Sequence, residues 1–320
     1  MLKSANNWRG LLGLMVLLLI FSCGGDDDGI DEPSGPQITE EGTFEDDWTY
    51  EVFPTVSDNF VRAKFRLWVP DIPEEPRAIL ILGTSYNGSS LGLVHSDVWQ
   101  EYAIQEKLVL LTFYLKSDDT GGYYANASGG SGAALLKALK AITVKHNLPN
   151  VNDLPFLSRG YSAGGSFSYN MSEFLPDRVV AYANIRGSIL STVVTNKDVP
   201  GLMIMGEFDN DTGIKNVINT VIYHRQVGGV ICFALEPNVD HFGGLNNADK
   251  LIRQFFSFAL EKRLSGTSSQ LNVIPESSGW LGENNVYEYF LFDEYTAEKD
   301  FASWLINEEF AESWQKFQTN

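Results

Sequence analysis

Six short, continuous apolar runs, interleaved with helix-length stretches, restrict what this chain can fold into more than any other feature of it. They are Ala78 to Leu82, Leu108 to Phe113, Pro155 to Leu157, Val179 to Asn184, Leu202 to Met205 and Val230 to Leu235. A strand that alternates apolar and polar residues has one wet face, whereas a strand apolar at every position must be covered on both. Between the runs lie stretches of helical spacing. One is Gly132 to His146, with Leu135, Leu136, Leu139 and Ile142 on a stripe, and another is Ile214 to Gln226. This alternation predicts an α/β fold, a mostly parallel central sheet flanked by helices.

Two segments of different texture come first. Trp48 to Phe53 and Phe60 to Val69 read as strands, the second alternating Phe60, Arg62 and Lys64 against Val61, Ala63 and Phe65, which points to an antiparallel start. A closing helix runs from about Ala248 to Arg263, with Leu251, Ile252, Phe255, Phe256 and Ala259 on one stripe. With 44% hydrophobic residues in a chain of 320, there is enough apolar material for one large core and an appendage. The main domain is therefore expected over 46–264, and an aromatic-rich extension over 265–320 carries Trp280, Trp304 and Trp314. Asn307 reads as the N-cap of a last helix with Phe310, Trp314 and Phe317 on one face. So apolar a stripe on so short a tail must pack on something. Docking on the main domain is the plain expectation, and walling a cleft is the sharper one.

The beginning of the chain is not a fold element. Lys3 and Arg9 precede an apolar run, Leu11 to Phe21, that is too short for a membrane span and breaks at Ser22-Cys23. Residues 1–22 read as a signal peptide, and the break resembles a bacterial lipoprotein box, which implies a lipidated Cys23 as the membrane anchor. The acidic Gly24-Gly25-Asp26-Asp27-Asp28 that follows resembles the surface-export signal of Bacteroidota lipoproteins and implies a location on the outer membrane, facing outward. Residues 23–45, rich in Gly, Pro, Asp and Glu, read as a flexible acidic tether. Loss of the signal removes two basic and no acidic residues, so a chain of net charge −18 becomes more acidic still, and nucleic acid is excluded as a partner. The only other cysteine, Cys232, lies in an apolar run and reads as a small buried hydrophobe.

The chemistry concentrates around Pro155-Phe156-Leu157-Ser158-Arg159-Gly160-Tyr161-Ser162-Ala163-Gly164-Gly165, an apolar strand entering G-x-S-x-G and then a helix-like stretch, Ser166 to Phe174. A serine on a sharp strand-to-helix turn needs small neighbours so that chain and helix can approach, and Gly160, Ala163 and Gly164 meet that need. A serine hydroxyl is a weak nucleophile at neutral pH and requires a base. There are four histidines, His95, His146, His224 and His241. Where nucleophile, acid and histidine follow in that chain order, only His241 lies beyond the last apolar run. His224 and His146 fall in or at the end of predicted helices, and His95 precedes the nucleophile. The acid belongs on the loop after Leu202 to Met205, where Gly206-Glu207-Phe208-Asp209 makes Asp209 the candidate, with Glu207 and Asp211 close enough to compete and Asp240 a loop acid. An oxyanion hole would combine the N–H of Ala163 with that of Thr84 or Ser85, in Gly83-Thr84-Ser85-Tyr86-Asn87-Gly88. The glycine-rich stretch Gly121 to Gly132 lacks the lysine and spacing of a phosphate loop and reads as a flexible loop beside the cleft.

Taken together, the Ser162 turn, Gly206-Glu207-Phe208-Asp209 and Asp240-His241 resemble the α/β-hydrolase superfamily over about residues 48–263. Within it the chain looks most similar to dienelactone hydrolases, feruloyl esterases and polyhydroxybutyrate depolymerases. Those relatives carry His-Gly where this chain has Leu82-Gly83. The resemblance implies acyl transfer in two steps through an acyl-enzyme, with a small-molecule or polysaccharide-linked ester as substrate and neither metal nor organic cofactor. A peptidase or polyester depolymerase would use the same triad, and a surface glycan-binding or structural lipoprotein on the same fold is the reading from another class.

Overall fold

The apolar runs become the parallel half of a large sheet. The computed structural model describes residues 38–39, 41–118, 123–264 and 270–319. Among them a ten-stranded sheet has the order β1-β2-β3-β4-β6-β5-β7-β8-β9-β10. Its strands are β1 (Ile38–Thr39), β2 (Gly42–Phe44), β3 (Thr49–Val52), β4 (Arg62–Trp68), β5 (Ala78–Gly83), β6 (Leu108–Lys116), β7 (Phe156–Tyr161), β8 (Val179–Ile185), β9 (Gly201–Gly206) and β10 (Ile231–Glu236). The strands from β1 to β4 pair antiparallel, β4 joins β6 antiparallel, and β6-β5-β7-β8-β9-β10 are parallel. Burial follows the sequence texture. Every residue of β5, β8 and β9 is buried, while β4 buries Ala63, Phe65 and Leu67 and turns Arg62, Lys64 and Arg66 outward.

Helices cover both faces. On one lie α2 (Ser131–Lys145), α4 (Ala163–Phe174) and α5 (Asp211–Gln226), packing Leu135, Leu139, Phe167, Met171 and Val217 on Ile79, Ile81 and Phe156. On the other lie α1 (Asp97–Glu106) and α6 (Asn246–Arg263), packing Trp99, Ala103, Phe255 and Ala259 on Leu80, Leu82 and Ile204. The short α3 (Pro149–Asn152) leads into β7. The chain leaves β5 for β6 on one side and returns past β5 to β7 on the other. The helices after β5 and β7, α1 and α4, therefore fall on opposite faces, and a crevice opens at the carboxyl ends of β5 and β7, where ligands bind in open α/β sheets.

One boundary and one loop differ from the sequence reading. The tether expected over 23–45 ends earlier, because residues 38–39 and 42–44 already pair into the sheet. The segment 1–22 expected to be a signal peptide, Cys23, the remainder of the expected tether, Gly121, Gly122 and 265–269 lie outside the described residues. Residues 123–132 are not a free loop. The Asn59 amide donates to the carbonyls of Tyr123 (2.9 Å) and Asn126 (2.6 Å), and its oxygen accepts the Ser131 N–H (3.2 Å).

The tail contains a three-stranded antiparallel sheet that no apolar run announces: β11 (Trp280–Glu283), β12 (Glu288–Leu291) and β13 (Ser303–Leu305), in the order β12-β11-β13. It ends in α7 (Glu308–Thr319), capped by Asn307, whose side chain accepts the Phe310 N–H at 2.8 Å. Trp304, Phe310 and Trp314 are fully buried against α6 and β10. Strand β10 is the last in the sheet, with main-chain groups open to any passing strand. Tail side chains occupy them. Ser303 Oγ accepts the Phe233 N–H (2.9 Å), Trp314 Nε1 donates to the Phe233 carbonyl (2.6 Å), and Gln318 Oε1 accepts the Leu235 N–H (2.8 Å).

Candidate active site

At the carboxyl end of β7 the backbone turns at Ser162, which holds φ +54° and ψ −121°, and α4 starts at the next residue. A non-glycine residue there costs on the order of 1–3 kcal/mol and persists only when its surroundings over-determine it. Here they do. The Ser162 N–H donates to the Ile185 carbonyl (2.8 Å), and the Ser162 carbonyl accepts the Ser166 N–H (3.0 Å). A Cβ on Gly160 would fall 1.9 Å from the Gly164 carbonyl oxygen, and one on Gly164 would fall 2.5 Å from the Thr84 carbonyl oxygen. Both positions must be glycine for strand, turn and helix to close.

Three of the residues singled out by sequence meet at this turn. His241, on the loop after β10, places Nε2 at 3.0 Å from Ser162 Oγ, and its Nδ1 lies 3.0 Å from Asp209 Oδ2 and 3.2 Å from Oδ1. Asp209 sits on the turn between β9 and α5. Its side chain is only 2% exposed against 29% for that of His241, so the acid is shielded and the imidazole reachable. Asp209 Oδ1 also accepts the Asn210 N–H (2.8 Å), which fixes the plane of the carboxylate. The competing acids stand elsewhere. Glu207 accepts the Asn238 N–H (2.8 Å), Asp240 accepts the Phe242 N–H (2.9 Å), and Asp211 is exposed in the first turn of α5.

The other histidines stand apart from Ser162. His146 stacks on Trp48 with ring centroids 3.7 Å apart. His95 lies in a groove with Trp48, Arg66 and Trp68. His224 is buried against the Tyr169 hydroxyl (2.9 Å), and burial drives its pKa down to about 4, so it is neutral.

The loop after β5 packs against the start of α4, since the Gly164 N–H donates to the Thr84 carbonyl (2.8 Å). Ala163 is the first residue of α4, where main-chain N–H groups have no intrahelical acceptor. Ser85 is held by its carbonyl, which accepts the Gly88 N–H (2.9 Å) and the Tyr124 hydroxyl (3.3 Å). At Gly83 a Cβ would fall 2.8 Å from the Phe113 ring.

Around His241 and Asp209 runs an open groove of about 450 Å³, lined by Phe208, Asp209, Asn210, Asp240, His241 and Phe242. Phe208 is 62% exposed and Phe242 86%, and among the described residues none of the tail lines this groove. On the loop after β5, Tyr86 is half exposed beside Tyr123, with ring centroids 6.0 Å apart. Among the described residues no group of three or more His, Cys, Asp or Glu side chains is placed to hold a metal ion.

The sequence reading missed two residues behind His241. The Tyr161 hydroxyl donates to the His241 carbonyl (2.8 Å), and Arg186, beyond the end of β8, reaches the same loop and Glu236. Their partners on that loop are main-chain carbonyls, which leave no mark in the sequence.

Parallel sheet, strained serine turn at the switch point and the acid and histidine on the following strand ends together define the α/β-hydrolase fold, and this chain has it. No protein-family model matches the chain, and the comparison with curated proteins found no match. Among solved structures it is similar to a ferulic acid esterase at TM-score 0.50 and 13% identity, over 67% of this chain and 96% of the other. A poly(3-hydroxybutyrate) depolymerase from Bordetella parapertussis matches at TM-score 0.47 and 11% identity, over 69% and 90%. A thermostable esterase matches at TM-score 0.47 and 17% identity, over 66% of this chain and 60% of the esterase's length.

Proposed function

We propose that this protein is a serine hydrolase of carboxylic esters, with Ser162 as nucleophile, His241 as base and Asp209 as the acid that orients it. The observation that carries this reading is the unbroken chain Ser162 Oγ, His241 Nε2, His241 Nδ1 and Asp209 Oδ2, with links of 3.0 Å and 3.0 Å, built on a strained turn. A binding module has no use for that strain. Asp209 keeps the proton of His241 on Nδ1, which leaves Nε2 free to take the Ser162 proton as Oγ attacks the ester carbonyl. The developing oxyanion faces the main-chain N–H of Ala163 and one from Thr84 or Ser85. His241 then gives its proton to the departing alcohol, and a water activated by the same imidazole releases the acid and restores Ser162.

The open groove with exposed Phe208 and Phe242 favours an ester carried on a large, ring-bearing molecule, such as an acylated polysaccharide, over a small enclosed substrate. The similarity to a ferulic acid esterase is in keeping with this. The run of residues 1–28 supports a lipidated Cys23 that tethers the enzyme at the outer membrane, facing outward. Cys23→Ser should then abolish incorporation of a labelled fatty acid by the producing cells.

Steady-state hydrolysis tests the reaction class. 4-Nitrophenyl acetate, methyl ferulate, acetylated xylan and a peptide anilide are compared, and ester turnover should exceed anilide turnover. Ser162→Ala or His241→Ala should lower it by at least about 10⁴-fold. Faster anilide cleavage would identify a peptidase, and ester turnover that persists in both variants would remove the triad assignment.

A further inference from the structure

Arg186 is fully buried and serves the loop that carries His241. Its Nη1 donates to the carbonyls of Gly243 (2.6 Å) and His241 (3.3 Å), and its Nη2 to the carbonyl of Gly244 (3.0 Å) and to Glu236 Oε2 (2.7 Å). The side chains of Arg186 and Glu236 are 0% and 3% exposed. The loop itself, residues 237–245, has no helix or strand to hold its shape. Arg186 also stands at φ +55°, a left-handed conformation unusual for arginine, directly after β8.

We infer that the Arg186–Glu236 pair is a positioning device that indexes His241 to Ser162, an inference that rests on the ester-hydrolase reading above. The strand ends it joins are those that bear the site. Ile185, immediately before Arg186, accepts the Ser162 N–H (2.8 Å), and the Arg186 N–H donates to the Ile204 carbonyl of β9 (2.7 Å). Glu236 closes β10, pairs in register with Gly206, and accepts the Glu207 N–H through its carbonyl (2.9 Å), two residues before Asp209. The nucleophile, the acid and the base are thus each tied within a few residues to the Arg186 backbone, the Glu236 backbone or the guanidinium. Tyr161, next to Ser162, adds a fourth tie through its hydroxyl on the His241 carbonyl (2.8 Å).

The choice of residue fits the task. A guanidinium presents five N–H donors in a rigid plane, enough for three carbonyls and a carboxylate, whereas an ammonium offers three donors from one point. A buried cation without its carboxylate would be costly, so Glu236 keeps the fork in place. On the loop the donors meet main-chain oxygens, so the histidine's own ring is untouched and only its location is set.

The test compares Arg186→Lys with wild type in three measurements: kcat and KM for 4-nitrophenyl acetate, per active site titrated with a fluorophosphonate, and the low-field proton resonance of His241 Nδ1–H. Misplacing a catalytic group by about 1 Å costs about 100-fold, so kcat should fall by about that factor with KM within about threefold, and the resonance should disappear. A purely structural role would lower the melting temperature and the number of titratable sites and leave kcat per site and the resonance unchanged, which would overturn the inference. Should Arg186→Lys fail to fold, Glu236→Gln, which keeps shape and an acceptor, decides in the same way: lower kcat at constant KM supports the device, and wild-type kcat with the resonance retained overturns it. Failure of the enzyme reading is recognisable separately, since wild type itself would then neither hydrolyse the ester nor take up the fluorophosphonate, while the resonance would still report whether Arg186 sets the His241 ring.

Discussion

Replacing Asp209 by Asn changes only one atom, yet the structure dictates which way the new amide must face. Asp209 Oδ1 accepts the Asn210 N–H at 2.8 Å, and Oδ2 is the oxygen nearer His241 Nδ1, at 3.0 Å. An amide keeps its oxygen on the main-chain donor, because the alternative sets two N–H groups against each other. Its NH₂ then occupies the place of Oδ2 and points at Nδ1. The imidazole must accept there, so its proton moves to Nε2, the nitrogen that should receive the Ser162 proton. The side chain is buried, so water offers no other arrangement. The triad keeps its geometry and loses its base, and the expected cost is about 10⁴-fold in kcat, or about 5.5 kcal/mol of transition-state stabilisation. Asp211→Asn removes an exposed acid from the first turn of α5 and should leave kcat within about twofold, at a loss of a few tenths of a kcal/mol in stability. The assay is hydrolysis of 4-nitrophenyl acetate at pH 7.5, with folding checked by circular dichroism. Asp209→Asn within tenfold of wild type, or Asp211→Asn the worse of the two, would refute this reasoning.

Two further changes separate packing from chemistry. Trp314→Ala empties a fully buried indole site and strips a donor from the Phe233 carbonyl, so urea unfolding should show a loss of about 4 kcal/mol, while kcat per folded molecule stays within about twofold because no described residue of the tail lines the groove. A large fall in kcat would instead make the tail part of the substrate cleft. His224 titrates near pH 4 when folded and near 6.5 when unfolded, so the unfolded chain takes up the proton first. Its contribution to stability is therefore complete above pH 6.5 and lost as the pH falls through 4, a change of about 3 kcal/mol. His224→Gln should flatten the unfolding free energy against pH by that amount, and parallel profiles for the two proteins would contradict it.

What the sequence discloses and what it hides follow from how local each constraint is. Strands buried on both faces must be apolar at every position, so the parallel half of the sheet is written in consecutive residues. The serine turn is equally local, because Gly160 and Gly164 are demanded by contacts within five residues and with one adjacent loop. The two short strands β1 and β2 lie in an acidic, glycine-bearing stretch that looks like linker, and they exist because β3 offers a partner. The tail sheet is similar. Its strands are three or four residues long, and what holds the tail is the open edge of β10, some seventy to eighty residues away in sequence. Arg186 and Tyr161 were illegible for another reason. They bind main-chain carbonyls of the His241 loop, and a carbonyl has no sequence of its own.

An activated nucleophile at Ser162 reacts covalently with a phosphorylating inhibitor, and the adduct can be weighed. The protein purified without its lipid anchor is exposed to a fluorophosphonate and weighed intact, with Ser162→Ala and His241→Ala beside it. One adduct per wild-type molecule, located on Ser162 by peptide mapping and absent from Ser162→Ala, with labelling slowed by orders of magnitude in His241→Ala, is the predicted result. Folded wild type that takes up no adduct, or takes it up on another residue, would contradict the account.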